Sequence, residues 1–270
     1  MLAAVSEDVH VVQDGNRDAP AVLLLSNAVA PTAIWDPVVL LLASAFRVIR
    51  VDLLGHGDWA STAGGYDVAT QADRVAAALD RLGVKRVTVI GHSSGCMVST
   101  ALAEQRPDAV VALALISMGP NMDAKLPDGP LFQLIMVPLV GQLLWRLRNE
   151  KSIRKAARSG TARPVDIPDA FIEHGLRLTL RDVVGTLRAY KKYLEQRSLP
   201  DRLTPLGLPL LVIFGVDDGR WRSSSSAAYR VVPGARIELL PGVGHTPMME
   251  DPETTGALLL DFAEAAGRTS

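Results

Sequence analysis

The sequence predicts an α/β protein with a mostly parallel, doubly wound sheet and an inserted helical segment. Short, nearly continuous apolar runs alternate with segments whose apolar residues recur every three or four positions. Such alternation is typical of parallel strands buried on both faces and joined by amphipathic helices. It is interrupted once, over residues 119–205, where we find only helical or irregular sequence. The sequence therefore predicts one layered core with a helical insertion.

The individual elements follow from these patterns in chain order. The runs AVLLLS, RVIRVDL, VTVIGH, VALALISM and LPLLVIFG predict strands, and ARIELLPG predicts a weaker one, at residues 21–26, 47–53, 87–92, 111–118, 208–215 and 235–242. Apolar residues at helical spacing predict helices over 73–82, 96–105, 181–197 and 253–265.

The domain boundaries are predicted from loops rich in glycine and proline. GPNMDAKLPDGP opens the insertion and LPDRLTPLGLP closes it. We therefore expect a core domain of residues 1–118 and 206–270, with a helical cap at 119–205. The span 146–202 carries 14 Lys/Arg and 7 Asp/Glu, a net charge of +7, so the remainder of the chain carries −8. Most of these charges are expected on the wet faces of amphipathic helices, although they could also attract a carboxylate-bearing substrate.

Composition limits the expected partners and compartment. The 270 residues carry a net charge of −1, so nothing draws the whole chain toward nucleic acid or an anionic membrane. Metal-ligand spacing and a phosphate-binding loop are both missing, so we expect no metal and no cofactor. A single cysteine and an N-terminal stretch without a secretory pattern suit a cytoplasmic protein. We expect a small-molecule substrate, and the sequence is compatible with a homodimer.

The segment Gly91-His92-Ser93-Ser94-Gly95 joins a predicted strand to a predicted helix. It fits the pattern G-x-S-x-G, with Ser93 in the central place. A tight turn of this kind exposes the serine above the carboxyl end of the sheet, beside the unpaired N–H groups of the helix N-terminus. Ser93 is therefore the candidate nucleophile, and Ser94 could cap the helix with its hydroxyl.

A serine nucleophile needs a base and an acid. Of the five histidines, His245 lies in the glycine-rich loop after the last predicted strand, which makes it the candidate base. The acid should follow a strand between Ser93 and His245. Asp217 and Asp218 both meet that condition, and Asp123 is a more distant alternative.

These motifs together resemble the α/β-hydrolase superfamily, whose triad occurs in the order serine, acid, histidine. The family's G-x-x-D spacing implies Asp218 as the acid. SNAVAPTAIW (26–35) resembles the family's oxyanion segment, with a Ser-Asn opening similar to that of enol-lactonases. DLLGHGDW (52–59) resembles the D-x-x-G-x-G-x-S loop, and GHTPMMEDPE (244–253) resembles the G-H-x-x-x-x-E-x-P ending.

The resemblance implies an oxyanion hole formed by the backbone N–H groups of Ala28 and Ser94, with Val29 as an alternative to Ala28. It also implies a cofactor-free serine hydrolase that acts on a small ester, a lactone or a related acyl or C–C bond. The same scaffold supports a lyase, cyclase or acyl transferase, which is the alternative. Met136, Trp145 and Trp221 are candidate substrate contacts, although Met136 and Trp145 would equally suit the cap's own core.

Overall fold

The computed structural model describes residues 9–27, 30–53 and 65–268. Its centre is a seven-stranded sheet with the spatial order β1-β3-β2-β4-β5-β6-β7. The strands are β1 Val11–Asp14, β2 Ala21–Leu25, β3 Arg47–Val51, β4 Val87–His92, β5 Val110–Ile116, β6 Leu210–Gly215 and β7 Arg236–Leu240. All six predicted strands are present, so the predicted mostly parallel α/β sheet is confirmed.

One strand was missed by the sequence analysis. β1 pairs antiparallel with β3 at the sheet edge, whereas every other neighbouring pair is parallel. All four residues of β1 are only partly buried, and two of them, Gln13 and Asp14, are polar. An edge strand of this kind lacks the continuous apolar run by which the buried strands were recognised.

The described residues contain eleven α-helices. These are α1 Asp36–Ala43, α2 Val68–Arg81, α3 Gly95–Gln105, α4 Pro130–Ile135, α5 Val140–Arg146, α6 Glu150–Arg158, α7 Asp169–Arg177, α8 Leu180–Gln196, α9 Leu199–Leu203, α10 Pro247–Glu250 and α11 Pro252–Arg268. None of the helices in this part of the chain is long and apolar enough to cross a lipid bilayer.

Two apolar layers cover the two faces of the sheet. Helices α2 and α3 bury their apolar faces against one side, and α1 and α11 bury theirs against the other. Successive side chains of β2 alternate between the two layers: Leu23 and Leu25 point into the first, and Val22 and Leu24 into the second. Because both faces are covered, the strand is apolar at every position.

The long excursion between β5 and β6 contains helices and no strand, as expected from its sequence. Helices α4 to α9 occupy it. The first part of this excursion contacts the loop after β6, where the Leu126 N–H donates to the carbonyl of Arg220 at 2.9 Å. Lys125 and Trp221 also form an isolated antiparallel bridge. The assignment of residues 119–205 as a separate cap remains a prediction.

Candidate active site

Ser93 occupies the turn between β4 and α3 in a conformation that non-glycine residues rarely adopt. Its φ angle is 52°, in the left-handed region. The Ser93 N–H donates to the carbonyl of Ile116 on neighbouring β5 at 2.8 Å, which holds the turn against the sheet. A strained serine fixed at the carboxyl end of a central strand is the arrangement expected of an exposed nucleophile.

The two glycines that flank this turn are required by its close packing. A Cβ atom at Gly95 would lie 2.5 Å from the carbonyl oxygen of Leu25 and 2.7 Å from that of Ser26. A Cβ atom at Gly91 would lie 2.6 Å from Ser99 Oγ. No side chain fits at either position. The G-x-S-x-G pattern therefore reflects the steric demands of placing α3 directly against β2 and β4.

The structure brings Ser93, His245 and Asp218 into one hydrogen-bonded chain. The Ser93 hydroxyl lies 3.0 Å from His245 Nε2. His245 Nδ1 lies 2.9 Å from Asp218 Oδ2. Because a carboxylate accepts, Nδ1 carries the proton and Nε2 is left to accept from the serine. This is the geometry in which an imidazole can act as a general base toward a serine hydroxyl.

Asp218, and not its neighbour Asp217, contacts the histidine. The Asp218 side chain is 0% exposed, whereas Asp217 is exposed. Asp218 Oδ1 accepts the backbone N–H groups of Arg220 at 2.7 Å and Trp221 at 3.2 Å. These two donors hold the carboxylate and leave Oδ2 for His245. Asp123 is exposed and lies in the 3-10 turn Met122–Ala124 after β5.

The backbone of His245 is held on both sides. Its N–H donates to the carbonyl of Gly160, in the insertion, at 2.7 Å. Its carbonyl accepts from His92 Nε2 at 2.8 Å. Because a carbonyl can only accept, Nε2 of His92 carries the proton. His92 Nδ1 then accepts from the Asn27 amide at 3.4 Å. His92, the residue before Ser93, thereby positions His245, the candidate base.

His92 is fully buried and uncharged. Burial, together with the nearby His245, lowers its pKa to about 3. The pKa in the unfolded chain is about 6.5. Between these values the unfolded chain binds a proton that the folded chain does not, so stability falls as the pH decreases. Each pH unit in this window removes up to about 1.4 kcal/mol.

His92→Gln is expected to flatten this pH dependence, because glutamine does not titrate. Urea unfolding of the wild type and the variant at pH 5 and pH 7 measures the effect. The wild type should lose more stability than the variant on going from pH 7 to pH 5. Equal losses would show that His92 takes up its proton in the folded state.

Glu250 joins the histidine loop to the insertion. Its Oε2 atom accepts three backbone N–H groups: Gly244 at 2.8 Å, Ala162 at 2.7 Å and Arg163 at 3.1 Å. Its Oε1 atom accepts the N–H and the hydroxyl of Thr246 at 3.0 and 3.1 Å. A buried carboxylate with five donors fixes the loop on both sides of His245.

A tyrosine of α8 contacts Ser94, the residue after the candidate nucleophile. The Tyr190 hydroxyl forms a hydrogen bond with the Ser94 side chain and accepts from Gln71 Nε2 at 3.3 Å. Burial raises the pKa of Tyr190 to about 12, so it remains a neutral phenol. Ser94 does not cap α3 with its side chain, contrary to the expected capping role, because its hydroxyl is directed to Tyr190.

The predicted oxyanion segment is described only at its two ends. Ala28 and the alternative donor Val29 lie outside the described residues, as does most of the loop that contains His56. At the ends of the segment, Ser26 Oγ donates to the carbonyl of Ala30 at 2.9 Å. Ala30 N–H donates to the carbonyl of Asn27 at 3.1 Å. The second predicted donor, Ser94, lies at the N-cap of α3 beside Ser93.

The three predicted substrate contacts lie in different surroundings. Met136 is the C-cap residue of α4 and is 38% exposed. The Trp145 ring stacks beneath the Arg148 guanidinium, and its indole N–H donates to the Leu178 carbonyl at 2.9 Å. Trp221 is buried, and its backbone N–H supports Asp218.

A cavity of about 440 Å³ lies between the insertion and Tyr66, the residue that precedes the N-cap of α2. It is lined by Tyr66, Gln142, Leu180, Arg181, Val184, Gly185 and Arg188. No predicted catalytic residue and no predicted substrate contact is among these lining residues.

Sequence reasoning missed the supporting roles of His92, Glu250 and Tyr190. The glutamate of the G-H-x-x-x-x-E-x-P ending was a usable signal for Glu250. His92 was visible inside the GHSSG segment, but its partner is a backbone carbonyl 153 residues away. No local pattern encodes such a contact.

Comparison with known proteins identifies the class. A family model described as "Alpha/beta hydrolase family" matches residues 28–258. The chain belongs to the alpha/beta hydrolase family and is a hydrolase, as the sequence resemblance predicted.

Individual relatives cover nearly the whole chain. A pimeloyl-(acyl-carrier-protein) methyl ester esterase from Nitrosomonas europaea is 29% identical, covering 91% of this chain and 95% of the esterase. A candidate 2-succinyl-6-hydroxy-2,4-cyclohexadiene-1-carboxylate synthase from Bacillus subtilis is 27% identical, covering 96% of both chains. The crystal structure of an enol-lactonase from Burkholderia xenovorans superimposes with a TM-score of 0.74 at 20% identity, covering 94% of this chain and 95% of that one. At that identity the last comparison bears on the fold alone.

Proposed function

We propose that this protein is a cofactor-free serine hydrolase that cleaves a small ester or lactone through an acyl-enzyme. The observation that carries the proposal is the hydrogen-bonded chain from Ser93 through His245 to Asp218, at 3.0 and 2.9 Å. The relationship to an esterase of similar length supports an ester as the scissile group.

In the proposed mechanism, Ser93 Oγ attacks the substrate carbonyl carbon while His245 Nε2 takes the serine proton. The oxyanion is stabilised by backbone N–H groups, for which Ser94 and Ala28 are the proposed donors. His245 then returns the proton to the leaving oxygen, and the C–O bond breaks. In the second half, water attacks the acyl-enzyme with His245 again as the base. Asp218 holds the imidazole tautomer and stabilises the imidazolium throughout.

The alternative is a non-hydrolytic use of the same residues, as a lyase, cyclase or acyl transferase. A relative of comparable identity carries the name of a synthase, and the fold hosts both kinds of chemistry. In this alternative His245 would move a proton on the substrate. Compounds with a scissile C–C bond between acyl groups are a further substrate class for the hydrolytic mechanism.

Turnover in ¹⁸O-labelled water distinguishes hydrolysis from the non-hydrolytic alternative. We expect the wild type to hydrolyse short p-nitrophenyl esters or an enol-lactone, with one ¹⁸O atom entering each carboxylate product. A fluorophosphonate should add covalently to Ser93, which intact-mass and peptide spectrometry would locate. Modification at Ser93 without any ¹⁸O incorporation across the substrates would favour the alternative. Absence of modification at Ser93 would contradict both the hydrolytic proposal and its non-hydrolytic alternative, because both use Ser93 as the nucleophile.

A further inference from the structure

Helices α4 and α5 form a hairpin whose outer surface is apolar and exposed. We call residues 130–147 the apolar hairpin. In the described part of the chain, fourteen large apolar residues are exposed, and eight of them belong to this hairpin: Leu131, Leu134, Met136, Val137, Leu139, Val140, Leu143 and Leu147. Isolated exposed apolar residues are ordinary, but a concentration of this kind marks an interaction surface.

The tip of the hairpin is strained in a way that projects a leucine outward. Leu139 has φ 67° and ψ −53°, and the Val140 N–H donates to the carbonyl of Pro138 at 2.8 Å. This is the rare γ-turn with positive φ, which a leucine adopts only at a cost. The Leu139 side chain is nevertheless 77% exposed. The Gly141 N–H donates to the Val137 carbonyl at 2.7 Å and the Leu143 N–H donates to the Leu139 carbonyl at 3.0 Å. These hydrogen bonds hold the turn and leave the leucine side chain directed away from the hairpin.

The charges around the hairpin are positive. The sequence holds no acidic residue between Asp128 and Glu150. Arg146 lies on α5, and Arg181 and Arg188 of α8 border the cavity that Gln142 of α5 also lines. Nearby Arg177 and Lys191 pair with Glu173 and Glu195, but no described acidic residue forms an ion pair with Arg146, Arg181 or Arg188. The surface thus combines apolar side chains with guanidinium groups that form no ion pair with an acidic residue in the part of the chain that the structure describes.

We propose that the apolar hairpin docks on the surface of an anionic lipid bilayer. The apolar tip would enter the boundary between headgroups and acyl chains, and Arg146, Arg181 and Arg188 would face the lipid phosphates. A second copy of the chain fits this surface less well. A two-fold contact would bring the same three arginines of each copy together, with no acidic residue in the hairpin to offset their repulsion.

The proposal departs from the expectation, based on a net charge of −1, that the protein has no membrane partner. The net charge of −1 is the sum of +7 on residues 146–202 and −8 on the rest of the chain. A bilayer responds to charge within roughly a Debye length, about 8 Å at physiological salt, and so to Arg146, Arg181 and Arg188 more than to the charge of the whole chain.

Flotation with lipid vesicles tests the proposal. The purified protein is mixed with vesicles of phosphatidylcholine alone, or of phosphatidylcholine with about 30% phosphatidylglycerol to supply the anionic surface. We expect binding to the anionic vesicles and little to the neutral ones. Binding should weaken about fivefold for each arginine removed in Arg146→Gln and Arg188→Gln.

Leu139→Asn provides the sharpest variant. Asparagine tolerates positive φ better than leucine, so the variant should fold with an unchanged or higher Tm. Its vesicle binding should fall about tenfold or more, because the apolar side chain is lost. Leu40→Asn is the matched control: Leu40 is 84% exposed on α1 and distant in sequence from the hairpin. It should bind as the wild type does.

Three results would overturn the proposal. The first is equal binding to neutral and anionic vesicles. The second is a Leu139→Asn variant that binds as well as Leu40→Asn. The third is a wild type that is dimeric in light scattering and a Leu139→Asn variant that is monomeric, with neither protein binding vesicles. That result would identify a second copy of the chain as the occupant of the hairpin surface. Because vesicle binding requires no turnover, Ser93→Ala should bind normally, and this result is independent of the proposed hydrolysis.

Discussion

Replacing Ser93 by alanine is expected to lower kcat for p-nitrophenyl ester hydrolysis by roughly 10⁴- to 10⁶-fold. The change removes the only atom proposed to bond to the substrate carbon. It leaves the His245–Asp218 pair and the backbone of the turn in place. Alanine has no atom that can accept the acyl group, so the residual rate should come only from binding and oxyanion stabilisation.

Ser94→Ala is the matched control for that experiment. It removes a hydroxyl one residue away, together with the contact to Tyr190, but it keeps the backbone N–H that the mechanism assigns to the oxyanion hole. We expect a loss of less than about tenfold in kcat/KM, the cost of one hydrogen bond. Unfolding curves should show both variants folded. A Ser93→Ala enzyme with near-normal kcat would eliminate the acyl-enzyme mechanism.

Asp218→Asn is expected to reduce kcat by about 10⁴-fold. Oδ1 of Asp218 accepts two backbone N–H groups, from Arg220 and Trp221. In the variant, the amide oxygen must take that position, because an NH₂ group cannot accept. The NH₂ group then faces His245 Nδ1 and donates to it. His245 is thereby driven into the tautomer that carries its proton on Nε2, which cannot take the proton of Ser93.

Asp217→Asn is the neighbouring control for this prediction. Asp217 is exposed, and its backbone N–H donates to the Val243 carbonyl at 3.0 Å. That hydrogen bond does not involve the side chain, so kcat should change by less than about twofold, as for most exposed surface substitutions. Steady-state kinetics with one ester substrate compare the two variants directly. A larger loss in Asp217→Asn than in Asp218→Asn would reassign the acid.

The fold followed from the sequence wherever local patterns reflect burial on both faces of an element. The six apolar runs form six strands, and the predicted helix over 181–197 lies one residue from α8. The predicted start of α2, residue 73, was five residues late. The true start is set by the Asp67 side chain, which accepts the Thr70 N–H at 2.9 Å. Val68 and Ala72 of the first turn already follow the apolar spacing that Val75 continues, so this signal was overlooked.

The candidate catalytic residues were identifiable because each belongs to a short motif at a strand end. GHSSG spans the end of β4, and VDDG and PGVGH follow β6 and β7. The carboxyl ends of these parallel strands meet at the same edge of the sheet. The choice between Asp217 and Asp218 rested on resemblance alone at that point. In the structure the choice is decided by burial: the Asp218 side chain points inward, where its carboxylate accepts the N–H groups of Arg220 and Trp221.

The sequence by itself therefore determined the class of fold, the order of strands along the chain and the set of candidate residues, because periodicity and turn chemistry are local properties. Tertiary structure alone decided what those residues touch: the His92 contact to the His245 carbonyl, the five donors around Glu250 and the exposure of residues 130–147. The sequence of an apolar helix has the same pattern whether the helix lines a pocket, packs in a core or faces solvent. Only the arrangement of distant segments determines which surface remains uncovered.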